Sequence, residues 1–108
     1  MQREGDYVMS RTSADEIISF LRLNRELLNK SFGVIRIGIF GSFARGEQSV
    51  TSDIDMVVEM DKDKKNIHSF LKLKRFLENE MEREIDLGFE HSLKPAVKEK
   101  VIKQIIYA

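Results

Sequence analysis

The sequence predicts an α/β (α+β) domain in which a small mixed β-sheet is flanked by helices. Three short runs rich in β-branched and aromatic residues, at 34–40, 53–60 and 84–89, are typical of strands. Around them, apolar residues recur at helical spacing. The chain has 108 residues, of which 42% are hydrophobic, so it can bury one core but has no room for a second domain. We therefore expect a flexible N-terminal arm at 1–12 and one domain at 13–108.

The first half of the chain begins with a predicted helix at 14–30. Ser13 and Glu16 form the capping-box pattern that precedes many helices. The apolar residues that follow lie at helical spacing: Ile17, Ile18, Leu21, Leu27 and Leu28. A largely buried strand at 34–40 then runs directly into a glycine turn that begins at Gly41.

The second half alternates strands and helices. A polar loop at 47–52 precedes the strand at 53–60, and an amphipathic helix at 66–80 is marked by Ile67, Phe70, Leu71, Leu77 and Met81. The third strand occupies 84–89. A final helix follows Ser92, and we expect its apolar face to contain Val97, Val101, Ile102, Ile105 and Ile106.

The composition excludes several classes of protein. Eighteen Lys and Arg balance 18 Asp and Glu, which argues against binding nucleic acid or anionic membranes through bulk charge. The absence of cysteine excludes disulfides, zinc–thiolate sites and thiol nucleophiles, and two histidines are too few for a histidine-rich metal site. No apolar run reaches the roughly 20 residues that span a bilayer, and the N-terminus lacks the apolar core of a signal peptide. We expect a cytoplasmic protein.

The glycine turn at the end of the first strand is the first candidate for a ligand site. Gly41 permits positive φ and close approach of a ligand to the backbone, and Ser42 adds a hydroxyl donor. A strand that turns sharply here into a helix-like segment exposes several backbone N–H groups together, which favours phosphate. A plain turn without a ligand is the alternative at this point.

Two acids, Asp53 and Asp55, begin the second strand. Residues two apart in a strand point to the same face, so both carboxylates are directed to one spot while Ile54 points into the core. Paired carboxylates raise each other's pKa unless a cation lies between them. Oxygen-only ligands in a partly open site suit Mg²⁺. The alternative is a solvated strand edge with two surface acids.

A third acid, Asp86, lies inside the last short apolar strand. If this strand lies beside that of Asp53 and Asp55, three carboxylates can hold two metal ions about 3.5–4 Å apart, the arrangement used for in-line phosphoryl or nucleotidyl displacement. Asp86 could also accept the proton of an acceptor hydroxyl. Glu84, at the strand's entrance, and Glu90, beyond its end, are competing candidates.

Together these segments resemble the signature of the minimal nucleotidyltransferase (MNT) family of the DNA polymerase β-like nucleotidyltransferase superfamily: Gly41-Ser42, Ala44-Arg45-Gly46 and Ser52-Asp53-Ile54-Asp55. The resemblance covers nearly the whole chain and implies the polymerase β-like nucleotidyltransferase fold. It implies an enzyme that binds two Mg²⁺ ions and uses ATP as its substrate. No position of the three-acid pattern is lost, so the sequence shows no sign of an inactivated site.

The resemblance also assigns roles to individual residues. It implies that the catalytic and metal-binding carboxylates are Asp53, Asp55 and Asp86. It implies that Gly41 and Ser42 hold the phosphates of the nucleotide. Arg45 matches a family position that either binds phosphate or braces the turn, and both roles stay open from the sequence.

MNT proteins typically pair with HEPN-domain proteins in toxin–antitoxin modules, so the resemblance implies a protein partner. It implies that this chain is the antitoxin and transfers AMP from ATP to a tyrosine of a HEPN toxin. A chain of 108 residues is too short for its own acceptor-binding domain, which agrees with an acceptor supplied by a partner. Two alternatives stay open: a non-catalytic module that neutralises its partner by occlusion, and transfer to a small molecule. We expect no direct contact with nucleic acid or membrane, and both a homodimer and a hetero-oligomer are compatible with the sequence.

Overall fold

A computed structural model describes residues 13–49 and 52–108. The predicted arm at 1–12 lies outside the described residues. In chain order the elements are α1 (Ala14–Leu23), α2 (Arg25–Phe32), β1 (Val34–Phe40), α3 (Gly41–Arg45), β2 (Ile54–Met60), α4 (Ile67–Met81), β3 (Ile85–Phe89), a 3₁₀ turn (Glu90–Ser92), α5 (Pro95–Gln104) and β4 (Ile106–Tyr107). Each of the three predicted strands is present, with bounds within one residue of those expected.

The strands form one mixed sheet in the order β3-β2-β1-β4. β1 pairs antiparallel with β2 on one side and with β4 on the other, whereas β2 pairs parallel with β3. The parallel pair needs a crossover, and α4 provides it. The predicted class, a small mixed sheet flanked by helices, is confirmed.

The hydrophobic core lies between one face of the sheet and helices α1, α2 and α4. Alternate residues of β2 belong to it: Ile54, Met56, Val58 and Met60. The helices contribute fully buried side chains that include Ile17, Leu21, Leu28, Leu73, Leu77 and Met81. Because side chains alternate along a strand, burial of this series directs Asp55, Val57 and Glu59 to the opposite face. The core therefore determines which face carries the candidate acids.

The predicted helix at 14–30 is wrong in one respect, because it is two helices that meet at Asn24. The backbone N–H of Asn24 donates to the carbonyl of Phe20 at 3.1 Å, and its side-chain amide donates to the same carbonyl at 2.9 Å. An Asn side chain that competes for helix carbonyls in this way favours termination. Leu27, one of the apolar residues that marked the predicted helix, is 42% exposed.

The predicted apolar face of the last helix is also wrong. α5 ends at Gln104, so Ile105 and Ile106 lie beyond it, and β4 pairs with the free edge of β1. Within the predicted face only Val101 is buried, whereas Val97 is 44% exposed and Ile102 is 58% exposed. Pairing of β4 with β1 satisfies backbone groups at the edge of β1 that a longer α5 would leave unpaired. The helical spacing of the apolar residues does not reveal that a strand can form here instead of a helix.

None of the helices in the described part of the chain combines the length and the apolar character that crossing a bilayer requires. This finding agrees with the absence of a long apolar run from the sequence.

Truncation of Leu77 tests the core. Leu77 is fully buried, and Leu77→Ala should lower the free energy of unfolding by about 2–5 kcal/mol because it removes buried methyl groups and leaves a cavity. Leu71 lies on the same helix but is 48% exposed, so Leu71→Ala should cost no more than about 0.5 kcal/mol. Urea denaturation of both variants measures the difference. Equal losses would contradict the orientation of α4.

Candidate active site

The candidate site lies at the edge of the sheet where β1 ends and where β2 and β3 begin. Phe40, the last residue of β1, pairs with Asp55, and Asp55 pairs in parallel register with Asp86. Neighbouring strands lie about 4.8 Å apart, and residues in register share a face. The structure therefore brings Asp55 and Asp86 together on the face away from the core, as the third-acid interpretation requires.

Asp53 precedes the first residue of β2 and is exposed. Its carboxylate is close enough to Asp55 to raise the pKa of that residue. The structure thus groups the three predicted acids electrostatically, although only Asp55 and Asp86 lie in the sheet. Their roles in catalysis stay predictions.

The pKa of Asp55 is raised above its ordinary value, first because burial penalises the charged carboxylate. The carboxylates of Asp86 and Asp53 raise it further, and the guanidinium of Arg45 opposes them. A half-buried carboxylate between two other acids is poorly stabilised as an anion. A cation in this position would relieve both the repulsion and part of the desolvation.

Gly41 allows the chain to pass directly beside Asp55. Its φ is +74°, and a Cβ added to it would collide with Oδ2 of Asp55 and lie only 3.1 Å from Cγ. α3 begins at Gly41 and ends at Arg45, and the next residue, Gly46, also has a positive φ, of +72°. Phe43 anchors this short helix in the core. Glycine is therefore required at position 41 both by the backbone conformation and by the lack of space.

Arg45 braces α3 against the end of α5. Its Nε pairs with Oε1 of Glu47 at 2.8 Å, and its Nη1 donates to Oε1 of Gln104 at 3.1 Å. Its side chain is substantially exposed, and its charge lowers the pKa of Asp55. Of the two roles that the sequence left open, these contacts favour bracing of the turn.

The two competing acids lie elsewhere. Glu84 is exposed before β3, where its carbonyl accepts the N–H of Ile54 at 3.0 Å. Glu90 follows the far end of β3 and pairs with Nη2 of Arg36 at 2.8 Å. His91 stacks on Phe89 at that same far end, with ring centroids 5.2 Å apart. Neither acid shares the register position of Asp86 beside Asp55.

Two residues that the sequence analysis did not single out, Glu78 and Arg83, bind the segments at the starts of β3 and β2. Oε2 of Glu78 accepts the N–H of Ile85 at 3.1 Å and pairs with Lys74 at 2.9 Å. The hydrogen bond from Ile85 is the main cause of a lowered pKa of Glu78. Arg83 binds the loop that leads into β2. The Arg83 contact joins segments distant in sequence, whereas Glu78 reaches Ile85 only seven residues further along the chain. Both bind backbone groups, which no residue pattern signals.

The carboxylates of the site are the type of ligand that a hard cation such as Mg²⁺ prefers, but they do not form a complete binding site by themselves. In the residues at 13–49 and 52–108, no group of three or more His, Cys, Asp or Glu side chains is arranged to hold a metal ion. Asp55 and Asp86 offer paired carboxylates, and exposed Asp53 adds a third nearby. Mg²⁺ commonly takes only a few carboxylates and completes its shell with waters and substrate phosphates, so such a partly open set suits it.

Comparison with known proteins identifies the family of the chain. Residues 21–108 match the family model of the nucleotidyltransferase domain. Over 99 residues the chain is 32% identical to the protein adenylyltransferase MntA of Thermococcus cleftensis, covering 92% of this chain and 99% of that protein. A solved structure described as a minimal nucleotidyltransferase is 32% identical, with a TM-score of 0.67, over 82% of this chain and 93% of that one.

A more distant structure shares the fold. It is a complex of a tri-AMPylated HEPN toxin of Shewanella oneidensis with an MNT antitoxin, and it matches with a TM-score of 0.54 at 21% identity, over 80% of this chain and 69% of that chain. The match of the domain model to most of the chain and the identity to full-length relatives carry the family assignment. The chain belongs to the nucleotidyltransferase domain family and is a minimal nucleotidyltransferase.

Proposed function

We propose that this nucleotidyltransferase transfers AMP from ATP to a tyrosine hydroxyl of a HEPN-type toxin and thereby acts as its antitoxin in the cytoplasm. The observation that carries the proposal is the register pairing of Asp55 with Asp86 beside the Gly41 turn. The reaction type is supported by the relative named protein adenylyltransferase MntA. The partner is supported by the shared fold with a chain from the complex of an AMPylated HEPN toxin with an MNT antitoxin.

The start of α3 is the proposed binding site for the triphosphate. The backbone N–H groups at the start of α3 are the proposed donors to the phosphate oxygens. The Ser42 hydroxyl is a further donor, and the positive end of the short helix favours an anion. Arg45 holds this turn through Glu47 and Gln104 and adds positive charge nearby.

The three acids are the proposed ligands of Mg²⁺. Asp55 and Asp86 would hold it from adjacent strands and Asp53 from the preceding loop, with two ions expected for three carboxylates. When bound, Mg²⁺ neutralises phosphate charge and supports in-line displacement at the α-phosphorus. Asp86 is the more exposed acid of the sheet pair, so it is the group that accepts the proton of the tyrosine hydroxyl. The tyrosine oxygen forms a new bond to the α-phosphorus. The bond between the α-phosphorus and the oxygen that bridges to the β-phosphate breaks, and pyrophosphate leaves with that oxygen.

Neutralisation by occlusion is a second candidate because α5 presents uncovered apolar side chains. Val97 and Ile102 are exposed, and Ile106 of β4 is 36% exposed. Such side chains suit an interface with a protein partner. In that case binding alone would silence the toxin, and the acids would not be needed for neutralisation.

The first prediction of the proposed function concerns the transfer of AMP to the partner. With labelled ATP, Mg²⁺ and the protein encoded by the neighbouring gene, the wild type should label its partner. Asp55→Asn and Asp53→Asn should each reduce labelling by at least about a hundredfold, since both remove negative charge that holds the reacting phosphates through Mg²⁺. Asp63→Asn changes an exposed acid in the turn before α4 and should leave labelling unchanged.

The same variants separate catalysis from occlusion. At equal expression, a double Asp53→Asn/Asp55→Asn variant should no longer rescue growth of cells that express the toxin. Rescue by this folded variant would support occlusion instead, and a folded wild type that leaves the partner unlabelled would contradict the proposed transfer.

The second prediction uses two glycines in the same backbone conformation. Gly41 and Gly46 both have φ near the left-handed region, at +74° and +72°. An added Cβ at Gly41 collides with Asp55, whereas at Gly46 nothing lies within 4 Å. Both alanine variants should lose about 1–2 kcal/mol of stability from backbone strain, but only Gly41→Ala should also abolish transfer and nucleotide-dependent stabilisation. Similar activity of the two variants would contradict the close packing of Gly41 on Asp55.

The third prediction concerns pH and metal. The pKa of Asp55 is raised in the folded chain, so ionisation of Asp55 above its ordinary pKa of 3.8 lowers stability. In metal-free buffer, Asp55→Asn should therefore melt at a higher temperature than the wild type at pH 7, and the difference should shrink as the pH falls towards 4. Addition of Mg²⁺ should stabilise the wild type more than the variant. A variant that is less stable than the wild type at pH 7 without metal would show instead that the carboxylate supports the fold.

A further inference from the structure

We propose that Arg83 is a positioning residue that holds the loop before Asp53 and helix α3 in the arrangement needed for metal and nucleotide binding. What the site binds rests on the proposed function, whereas the positioning itself rests on contacts of this chain. Arg83 lies in the short connection between α4 and β3, three residues before Asp86. Its side chain leaves that connection and reaches two other parts of the site.

The first contact is with the loop that leads into β2. Nη1 of Arg83 donates to the carbonyl of Ser52 at 2.8 Å and to the carbonyl of Ser49 at 3.3 Å. These two serines are joined to each other, because the N–H of Ser49 donates to Oγ of Ser52 at 2.8 Å and the N–H of Ser52 donates to the carbonyl of Ser49 at 3.1 Å. The carbonyl of Ser52 belongs to the peptide bond that Asp53 completes. Arg83 therefore fixes the backbone immediately before Asp53.

The second contact is with α3. The guanidinium carbon of Arg83 lies 5.1 Å from the centroid of the Phe43 ring, a cation–π distance. Phe43 is fully buried and lies two residues after Gly41, which packs directly on Asp55. One guanidinium thus joins the helix proposed to bind phosphate to the loop that carries Asp53.

The residues on either side of Arg83 have defined backbone contacts of their own. Glu82 is the residue directly after α4. Its φ is +55°, and it is the single non-glycine residue with positive φ in the described part of the chain. Immediately after Arg83, the carbonyl of Glu84 accepts the N–H of Ile54 at 3.0 Å, which fastens the start of β2.

Arg83 and the sheet hold different acids of the site in place. Asp55 and Asp86 are held by strand register, so loss of Arg83 should leave them in place. Asp53 has no strand to hold it, and its position relative to that pair depends on the loop that Arg83 binds. A lysine is not equivalent to the arginine, because a compact ammonium lacks the planar, forked guanidinium that presents several N–H donors together with a flat face to an aromatic ring.

The test compares Arg83→Met and Arg83→Lys with Arg36→Met. Arg36 is a matched control because its guanidinium also lies over a ring, 4.9 Å from the centroid of Tyr107, at the far end of the sheet face. The readout is the Mg²⁺ concentration that gives half-maximal thermal stabilisation in the presence of a non-hydrolysable ATP analogue. Both Arg83 variants should raise it about 10–100-fold, as loss of an outer-shell partner of metal ligands does, while Arg36→Met should leave it unchanged. Full rescue by lysine would overturn the proposal, because charge alone would then explain the effect.

A second measurement, made without metal or nucleotide, tests whether Arg83 holds the residues before Asp53 in place. Amide hydrogen exchange of Ser49 and Ser52 should become at least about tenfold faster in Arg83→Met than in the wild type, because the hydrogen bonds between these two serines are less often formed. Exchange of Met56 and Leu87 in the paired strands should not change. Unchanged exchange at both serines would overturn the proposal. If the wild type shows no stabilisation by Mg²⁺ and the analogue, the proposed function fails, and the exchange result alone decides whether Arg83 positions the loop.

Discussion

The parallel register between β2 and β3 is the constraint on which the site depends. Ile54 is paired with Ile85 and Met56 with Leu87, and all four side chains are buried in the core. A slip of either strand by one residue would exchange the two faces and bury a carboxylate, which is costly without a partner. Hydrophobic burial on one face therefore places Asp55 beside Asp86 on the other.

This arrangement is unfavourable for the acids themselves. Burial and two neighbouring carboxylates raise the pKa of Asp55, and a glycine backbone packs so closely on it that no side chain fits at position 41. Stability is supplied by the core, while the surface above it keeps a concentration of negative charge that a bound cation would neutralise. Natural proteins accept such locally unfavourable groups at functional sites when the rest of the fold compensates for them.

The secondary structure was largely predictable because its signals are local. The strands have β-branched runs, and α4 has a helical period with boundaries close to those observed. The errors lie where contacts outside the local pattern set the end of a helix. Asn24 ends α1 through hydrogen bonds to Phe20, and Ile106 joins the sheet instead of extending α5. In the site, Arg83 was not predictable, since its partners Ser49 and Ser52 are distant in sequence and are bound through backbone carbonyls that carry no residue signature.

The sequence by itself determined the types and local spacing of the chemical groups: a glycine at the end of a strand, two acids at strand spacing and a further acid in a later apolar strand. These follow from the period of a strand and the conformational freedom of glycine, which act over a few residues. The tertiary structure alone decided that Asp86, rather than Glu84 or Glu90, lies beside Asp55, and that Arg45 and Arg83 brace the surrounding segments. The physical reason is that these relations depend on the register and packing of distant segments, which burial of the common core sets only when the whole chain is folded.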